Sequence, residues 1–529
     1  MSSPSSAPAL GVRQPTVAEL RAIAAQHHFT ATSEQFQEWQ PIINGWISSL
    51  DRVEALHAEH FPKQDVSQRD RGEAPKPDEN RLNAWAWRCD IRNGDVTGGK
   101  LSGKTIAIKD NISVAGVPMR NGSKVLDGHV PTHDATVTRR VLAAGATIRG
   151  KSQNEDLCLS GASFTCAYGP VLNPHDRARN ANGSSSGSSV LVAVGAVDMA
   201  VSVAQGGSVQ LPAAACGVVG LKPTWGRIPY TGAFSMDATL DTPGPCARTC
   251  ADAALLLEVL AGPDGRDSRC NGAPAPAAYA AALDEGIEGL RVGILKEGFG
   301  FPGASQQHVD DAVKAAAETL GAVGAVVKEV SVPMHLEASH IWTAVGLEGI
   351  VSAQFQGGGH GYNTTSTSPG APALCQSWAE GLAAGADELS QTNKAWALAG
   401  QHVMQQTRGK YYAMGMNMCG VLKQKYDACL TDQCDVFVLP TLPMQPTPLV
   451  DRETAAVGDY FSTALGMIAN TAPVNASRHP ALTVPVPNVN GLPVGMMIVG
   501  KWWDEATLLR VGQAYETIRG PLVPPAEAS

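Results

Sequence analysis

Three residues far apart in the chain have the side chains needed for acyl transfer: Lys109, Ser184 and Ser208. Ser184 lies in the turn Asn182-Gly183-Ser184-Ser185-Ser186-Gly187-Ser188-Ser189, and Ser208 closes Gln205-Gly206-Gly207-Ser208. A serine hydroxyl is a weak nucleophile until a base takes its proton. Lys109 ends the apolar run Lys104-Thr105-Ile106-Ala107-Ile108-Lys109, where burial would disfavour the ammonium and leave a neutral amine able to accept that proton. Taken singly, each has a plainer reading. Lys109 would be a strand-end lysine paired with Asp110, Ser184 a turn former and Ser208 an N-cap. A competing arrangement uses Ser185, because Gly183-Ser184-Ser185-Ser186-Gly187 matches the nucleophile elbow of a Ser-His-Asp esterase. That pattern needs a strand in front of it, and Asn173–Asn180 reads as a loop.

The element that must hold both turns is Val190–Val203, almost wholly apolar, with Asp198 its only charge. A run of that kind belongs in a core and pins a polar turn at each end. Lys104–Asn111 reads as a β-branched strand ending in a polar turn. Asp134–Ala144 reads as a helix with Gly145 at C′, followed by a strand at Ala146–Gly150. Further strands are expected at Leu290–Leu295, Val327–Val332, Val436–Leu439 and Leu482–Val486, with helices at Cys250–Ala261, Val309–Leu320 and Glu505–Ile518. Such alternation gives an α/β sheet covered by helices. Residues 335–430 read as a helical lid or pocket-building insertion.

Ahead of this body, Thr16 and Glu19 form a capping box that starts a helix to about His28. A second helix is expected over Ser33–His57, kinked at Pro41, with an apolar stripe of Trp39, Ile43, Trp46, Ile47, Leu50 and Val53. Residues 1–12 read as disordered; residues 1–94 are expected to be tail and helical extension, and 95–529 the main domain.

Bulk properties narrow the function classes. The 529 residues carry a net charge of −9 with no Lys/Arg cluster, which argues against nucleic acid as a partner. No apolar run is long enough to span a bilayer, and Met1–Pro8 lacks the pattern of a signal peptide, so a cytoplasmic protein is expected. The eleven cysteines sit in apolar contexts, as buried reduced thiols would. Cys246 and Cys250 lie four apart, but no second Cys/His pair follows at ligand spacing, so no metal is expected.

Taken together, the two serine turns and the lysine strand resemble the amidase signature family. The likeness rests on Ala107-Ile108-Lys109-Asp110-Asn111, Gly183-Ser184-Ser185, Gln205-Gly206-Gly207-Ser208 and Pro212–Thr224, and continues through Gly232, Asp241-Thr242-Pro243-Gly244-Pro245 and His479–Pro485. The helical extension, with Val117-Pro118-Met119, Pro229–Phe234 and Ala464–Pro473, is similar to that of nitrile-hydratase-associated amidases. The resemblance implies a large mixed β-sheet covered by helices on both faces. It also implies an amide hydrolase with Lys109 as base, Ser184 as bridge after a cis Gly183–Ser184 peptide, and Ser208 as nucleophile. Backbone N–H groups of Gln205, Gly206, Gly207 and Ser208 would form the oxyanion hole, with Gly183 and Ser185 in support. No cofactor is implied, only a small amide and water, and a homodimer through the N-terminal helices. Phe164, Trp342 and Ile468 fall in segments expected to border Ser208 in this subgroup.

Four positions depart from the family pattern: Ala204 replaces an acid, Gln210 an arginine, Ser186 a glycine and Arg478 a glycine. Loss of both members of an acid–base pair leaves neither charge unpaired. These changes motivate a second expectation, an impaired or non-catalytic binding protein of the same fold.

Overall fold

The structure, a computed structural model, describes residues 12–360, 362, 365–525 and 527. The chain divides into two compact units, Met1–Asp65 and Val66–Ser529. The expected domain start at 95 therefore moves upstream, because Trp85–Ile91, unforeseen in the sequence, is a strand of the main sheet.

In the first unit, α1 (Val17–Gln26) opens with the Thr16/Glu19 capping box. The second helix, α2 (Ser33–His60), has its own box between Thr32 and Gln35 and carries Pro41 within it. Trp39, Trp46, Leu50 and Val53 are exposed along it. Of the tail expected to be disordered, residues 1–11 lie outside the described residues.

The second unit is built on one mixed sheet of eleven strands. In chain order these are β1 (Trp85–Ile91), β2 (Thr105–Lys109), β3 (Thr147–Ser152), β4 (Met199–Ala204), β5 (Val219–Lys222) and β6 (Thr242–Ala247). They continue as β7 (Arg291–Leu295), β8 (Val326–Val330), β9 (Val436–Pro440), β10 (Ala481–Val489) and β11 (Leu492–Gly500). Their spatial order is β1-β3-β2-β4-β6-β5-β10-β11-β9-β7-β8. Strands β3, β2 and β4 run parallel, and β6 returns antiparallel to β4. Asn490 and Gly491 join β10 to β11 with φ of 50° and 81°, the pair that a two-residue type I′ hairpin favours.

Side chains alternate between two cores, one on each face. Val436, Val438, Met496 and Ile498 enter one cluster, while Phe437, Leu439, Met497 and Val499 enter another. Helices Cys250–Leu260, Gln307–Thr319 and Glu505–Arg519 contribute to the first. Ala338–Ile350 and Lys410–Ala428 contribute to the second. Both faces of the sheet are covered, as expected. Within 335–430, helices occupy Ala338–Ile350, Ala371–Gly385, Gln391–Thr407 and Lys410–Ala428, with a π-helical stretch at Val351–Gln356. Ten of the eleven cysteines are buried, none forms a disulfide, and Cys375 is half-buried.

Candidate active site

The apolar run between the two turns is a helix followed by a strand: α3 (Ser186–Ala193), preceding β4. The first turn leads into α3, and the second leaves β4 for helix α4 (Gln210–Cys216). Ser185 N donates to Ser208 O at 3.2 Å and ties the turns together.

Lys109 is the last residue of β2 and has no exposed surface. Its Nζ bonds Ser184 Oγ at 2.8 Å and Val203 O at 3.3 Å. Asp110 is not its partner, contrary to the plainer reading. That carboxylate is 2.9 Å from Lys151 Nζ and also accepts the N–H groups of Arg120 and Asn121. Two buried lysines thus lie on adjacent strands, and only one has a carboxylate against it. Burial lowers the Lys109 pKa, and the neighbouring Cys158 thiol, with Glu155 and Asp241, only partly opposes it.

The Gly183–Ser184 peptide is cis. Gly183 is required there by space, since a Cβ would lie 2.2 Å from Ala162 O and 2.9 Å from Glu155 Cγ. Ser185 does not follow a strand; residues 181–185 are irregular, and its Oγ donates to Val203 O at 3.2 Å. The elbow match is therefore a coincidence of composition, and nothing supports a Ser-His-Asp esterase at this position.

In the second turn, Gly207 has φ of 138°, open to glycine. The carbonyls of this turn are all engaged. Gln205 O accepts Trp342 Nε1 at 2.9 Å, Gly206 O accepts Thr471 Oγ1 at 2.6 Å, and Gly207 O accepts Leu211 N at 2.8 Å. The N–H groups of Gln205, Gly206, Gly207 and Ser208 meet no acceptor among the described residues. The Gln205 side chain is held by Asp241 at 2.8 Å and Tyr230 at 3.3 Å. Four peptide donors remain on a loop whose opposite edge is fastened.

A cavity of about 30 Å³ faces Ser208 and is walled by Cys158, Gly161, Gln205, Gly206, Trp342 and Ile468 among others. Of the three residues expected to border Ser208, Trp342 and Ile468 line this cavity. Phe164 does not; it packs edge-on against Tyr460 at 4.9 Å in a core with Leu211 and Ala214. An aromatic ring with that much apolar area is better satisfied by complete burial.

The departures from the family pattern are accommodated differently. Ala204 is buried at the end of β4, opposite Thr242. Gln210 is buried with neither side-chain polar atom bonded, and Ser186 Oγ likewise has no partner. Arg478 has φ of 65°, and its guanidinium stacks 4.6 Å above Trp225. Sequence reasoning missed Thr471, Asp241 and Cys158 as neighbours of the turns. Asp241 and Thr471 lie in stretches that carried the resemblance, but which atoms they hold could not be seen there.

Glu155 lies beneath the first turn, fully buried, and burial raises its pKa from 4.5 to about 7 despite two hydrogen bonds from Thr165. The folded chain then keeps a proton that the unfolded chain has lost between these values. Stability should fall as pH rises from 4.5 to about 7. Glu155→Gln, which keeps the acceptor for Thr165, should flatten that slope in thermal melts across this range; an unchanged slope would assign it elsewhere.

A family model described as Amidase matches residues 77–509. The chain belongs to the amidase family. It is 41% identical over 522 residues to an enantioselective amidase of Rhodococcus rhodochrous, covering 97% of this chain and 98% of that one. It is 35% identical over 429 residues to a glutamyl-tRNA(Gln) amidotransferase component of Methanosarcina acetivorans, covering 80% and 86% respectively. Among solved structures, the peptide amidase of Stenotrophomonas maltophilia superposes with a TM-score of 0.66 at 28% identity, covering 82% and 85% of the two chains. Among the described residues, no helix of this amidase is long and apolar enough to cross a membrane.

Proposed function

We propose that this amidase hydrolyses small neutral aliphatic and aromatic amides to a carboxylic acid and ammonia by a Lys109–Ser184–Ser208 relay. The observation that carries the reading is the 2.8 Å contact between Lys109 Nζ and Ser184 Oγ, at a lysine with no carboxylate bonded to it. A neutral amine at that distance accepts a proton from Ser184, which takes one from Ser208. Ser208 Oγ attacks the amide carbonyl, and the resulting oxyanion is met by the peptide N–H groups of residues 205–208. The proton returns through Ser184 to the nitrogen, ammonia leaves, and water hydrolyses the acyl-enzyme by the same relay. Carbamates and esters present the same carbonyl and are side substrates in this reading.

Because the base must be neutral, kcat/KM should rise with pH through an inflection below the ordinary lysine value of 10.5. A sulfonyl fluoride that captures activated serines should label Ser208, found by peptide mapping, with a labelling rate that follows the same inflection. Label on Ser185, or none, defeats the relay. We further propose a cytoplasmic homodimer paired through α1 and α2, whose exposed Trp39, Trp46 and Leu50 suit an apolar contact. A single-chain mass in sedimentation would overturn that pairing.

A further inference from the structure

The cavity at Ser208 has an open end and a closed one. Leu465 and Ile468 on its wall are half-buried, whereas Cys158, Leu159, Met236 and Trp342 are each 5% exposed or less. The half-buried pair marks the mouth, and the other four form the closed end. At about 30 Å³ the cavity has room for about two water-sized groups. That accepts the ethyl group of propionamide but not the ring of benzamide. The leaving group of a primary amide is ammonia, so the acyl substituent is the part of the substrate whose size varies, and one wall of this cavity must set its limit.

Two of the four closed-end residues are tied by polar contacts. Trp342 donates Nε1–H to Gln205 O at 2.9 Å and packs against Trp396 with ring centroids 5.8 Å apart. Its ring also lies against the second turn, where a Cβ on Gly206 would be 3.0 Å from Cζ2. Cys158 Sγ donates to Asn121 Oδ1 at 3.3 Å and accepts Asn154 Nδ2 at 3.5 Å. Leu159 and Met236 have apolar side chains and pack with Cys158 and Ile350 in one small cluster. Methionine is the longer of the two and unbranched. Its main chain is placed by the group that places the second turn: Asp241 Oδ1 accepts Met236 N at 3.3 Å and Gln205 Nε2 at 2.8 Å. One carboxylate therefore fixes how far Met236 stands from the loop that carries Ser208.

We propose that Met236 limits the size of the acyl group, so that, on the functional reading above, short aliphatic amides are preferred to aromatic ones and shortening this side chain relaxes the preference. Met236 is a specificity determinant and takes no part in the proton relay.

The test measures kcat/KM for propionamide and benzamide on the full chain, unaltered and with Met236→Ala, Met236→Val or Leu465→Ala. The unaltered chain should favour propionamide by tenfold or more. Met236→Ala should raise the benzamide-to-propionamide ratio at least tenfold, and Met236→Val, which removes less of the side chain, should raise it by a smaller factor. Both rates come from one preparation, so their ratio does not depend on the fraction that folds. Leu465→Ala, at the mouth, should change the ratio less than threefold. Three results would each overturn the size limit while the functional reading stands: benzamide turned over as fast as propionamide by the unaltered chain, a ratio that neither Met236 variant moves, or a larger rise from Leu465→Ala than from Met236→Ala. No turnover of either amide by the unaltered chain overturns the functional reading. Calorimetric titration with the two amides then decides the size limit, which stands if Met236→Ala tightens benzamide relative to propionamide at least tenfold and falls if it does not.

Discussion

Replacing Ser208 with alanine should reduce ammonia release from benzamide and propionamide by on the order of 10⁴-fold or more, the loss expected when a nucleophile is deleted from a relay. Lys109→Met, which keeps the length of the side chain and its packing but has no amine, should fall to the same floor. The two changes combined should be no worse than either, because residues that act as a unit are not additive. Ser185→Ala should cost far less: its hydroxyl caps Val203 O, and the link to Ser208 runs through its backbone N–H. Turnover that survives Ser208→Ala would remove the mechanism. An unaltered chain inactive on amides, carbamates and esters alike would favour the binding-protein alternative.

The second large effect should come from Gly207→Ala. A Cβ there would meet Thr471 Oγ1 at 2.3 Å and Leu211 Cγ at 2.9 Å, on a backbone with φ of 138°. Thr471 cannot yield without releasing Gly206 O, so the turn must shift and at least one donor misses the oxyanion. That loss corresponds to about 2.7–4 kcal/mol, or a roughly 10²–10³-fold fall in kcat. KM should move much less, since the donors act where charge develops. Thr471→Val, which frees the Gly206 carbonyl without filling the loop, should give an intermediate fall. A Gly207→Ala enzyme with full kcat would show that these peptide groups do not hold the oxyanion.

Much of this arrangement was legible in the sequence where local pattern and burial agree. The Thr105–Lys109 strand follows from β-branched residues against a polar turn, and the capping box at Thr16 is visible because its hydrogen bonds are local in sequence. Strand β6 was not visible: two prolines and a glycine at 243–245 are disfavoured in strands, yet it pairs along its length with β4, and a Cβ on Gly244 would lie 2.0 Å from Leu221 O. Strand β1 was hidden in a similar way, its pairing with β3 interrupted by register shifts at Trp85 and Arg88 that blur the two-residue period. The partner of Asp110 could not be read either, because Lys151 reaches it only through the alignment of β2 with β3. Phe164 went astray for the opposite reason, since hydrophobicity alone does not distinguish a pocket wall from the core behind it. The loop at 235–239 meets a helix more than a hundred residues later, where Tyr412 Oη donates to Asp237 Oδ1 at 3.4 Å, a proximity no local pattern encodes.

The distribution of thiols makes the native molecule its own reporter. With ten of eleven sulfurs sealed inside and Cys375 at the margin, an aromatic disulfide reagent added to folded protein should consume about one equivalent promptly and the remainder only as segments open. Because Cys158 lines the small cavity at Ser208 and Cys434 lies beneath β7, their separate labelling rates would time the loosening of that cavity against that of the strands around β7.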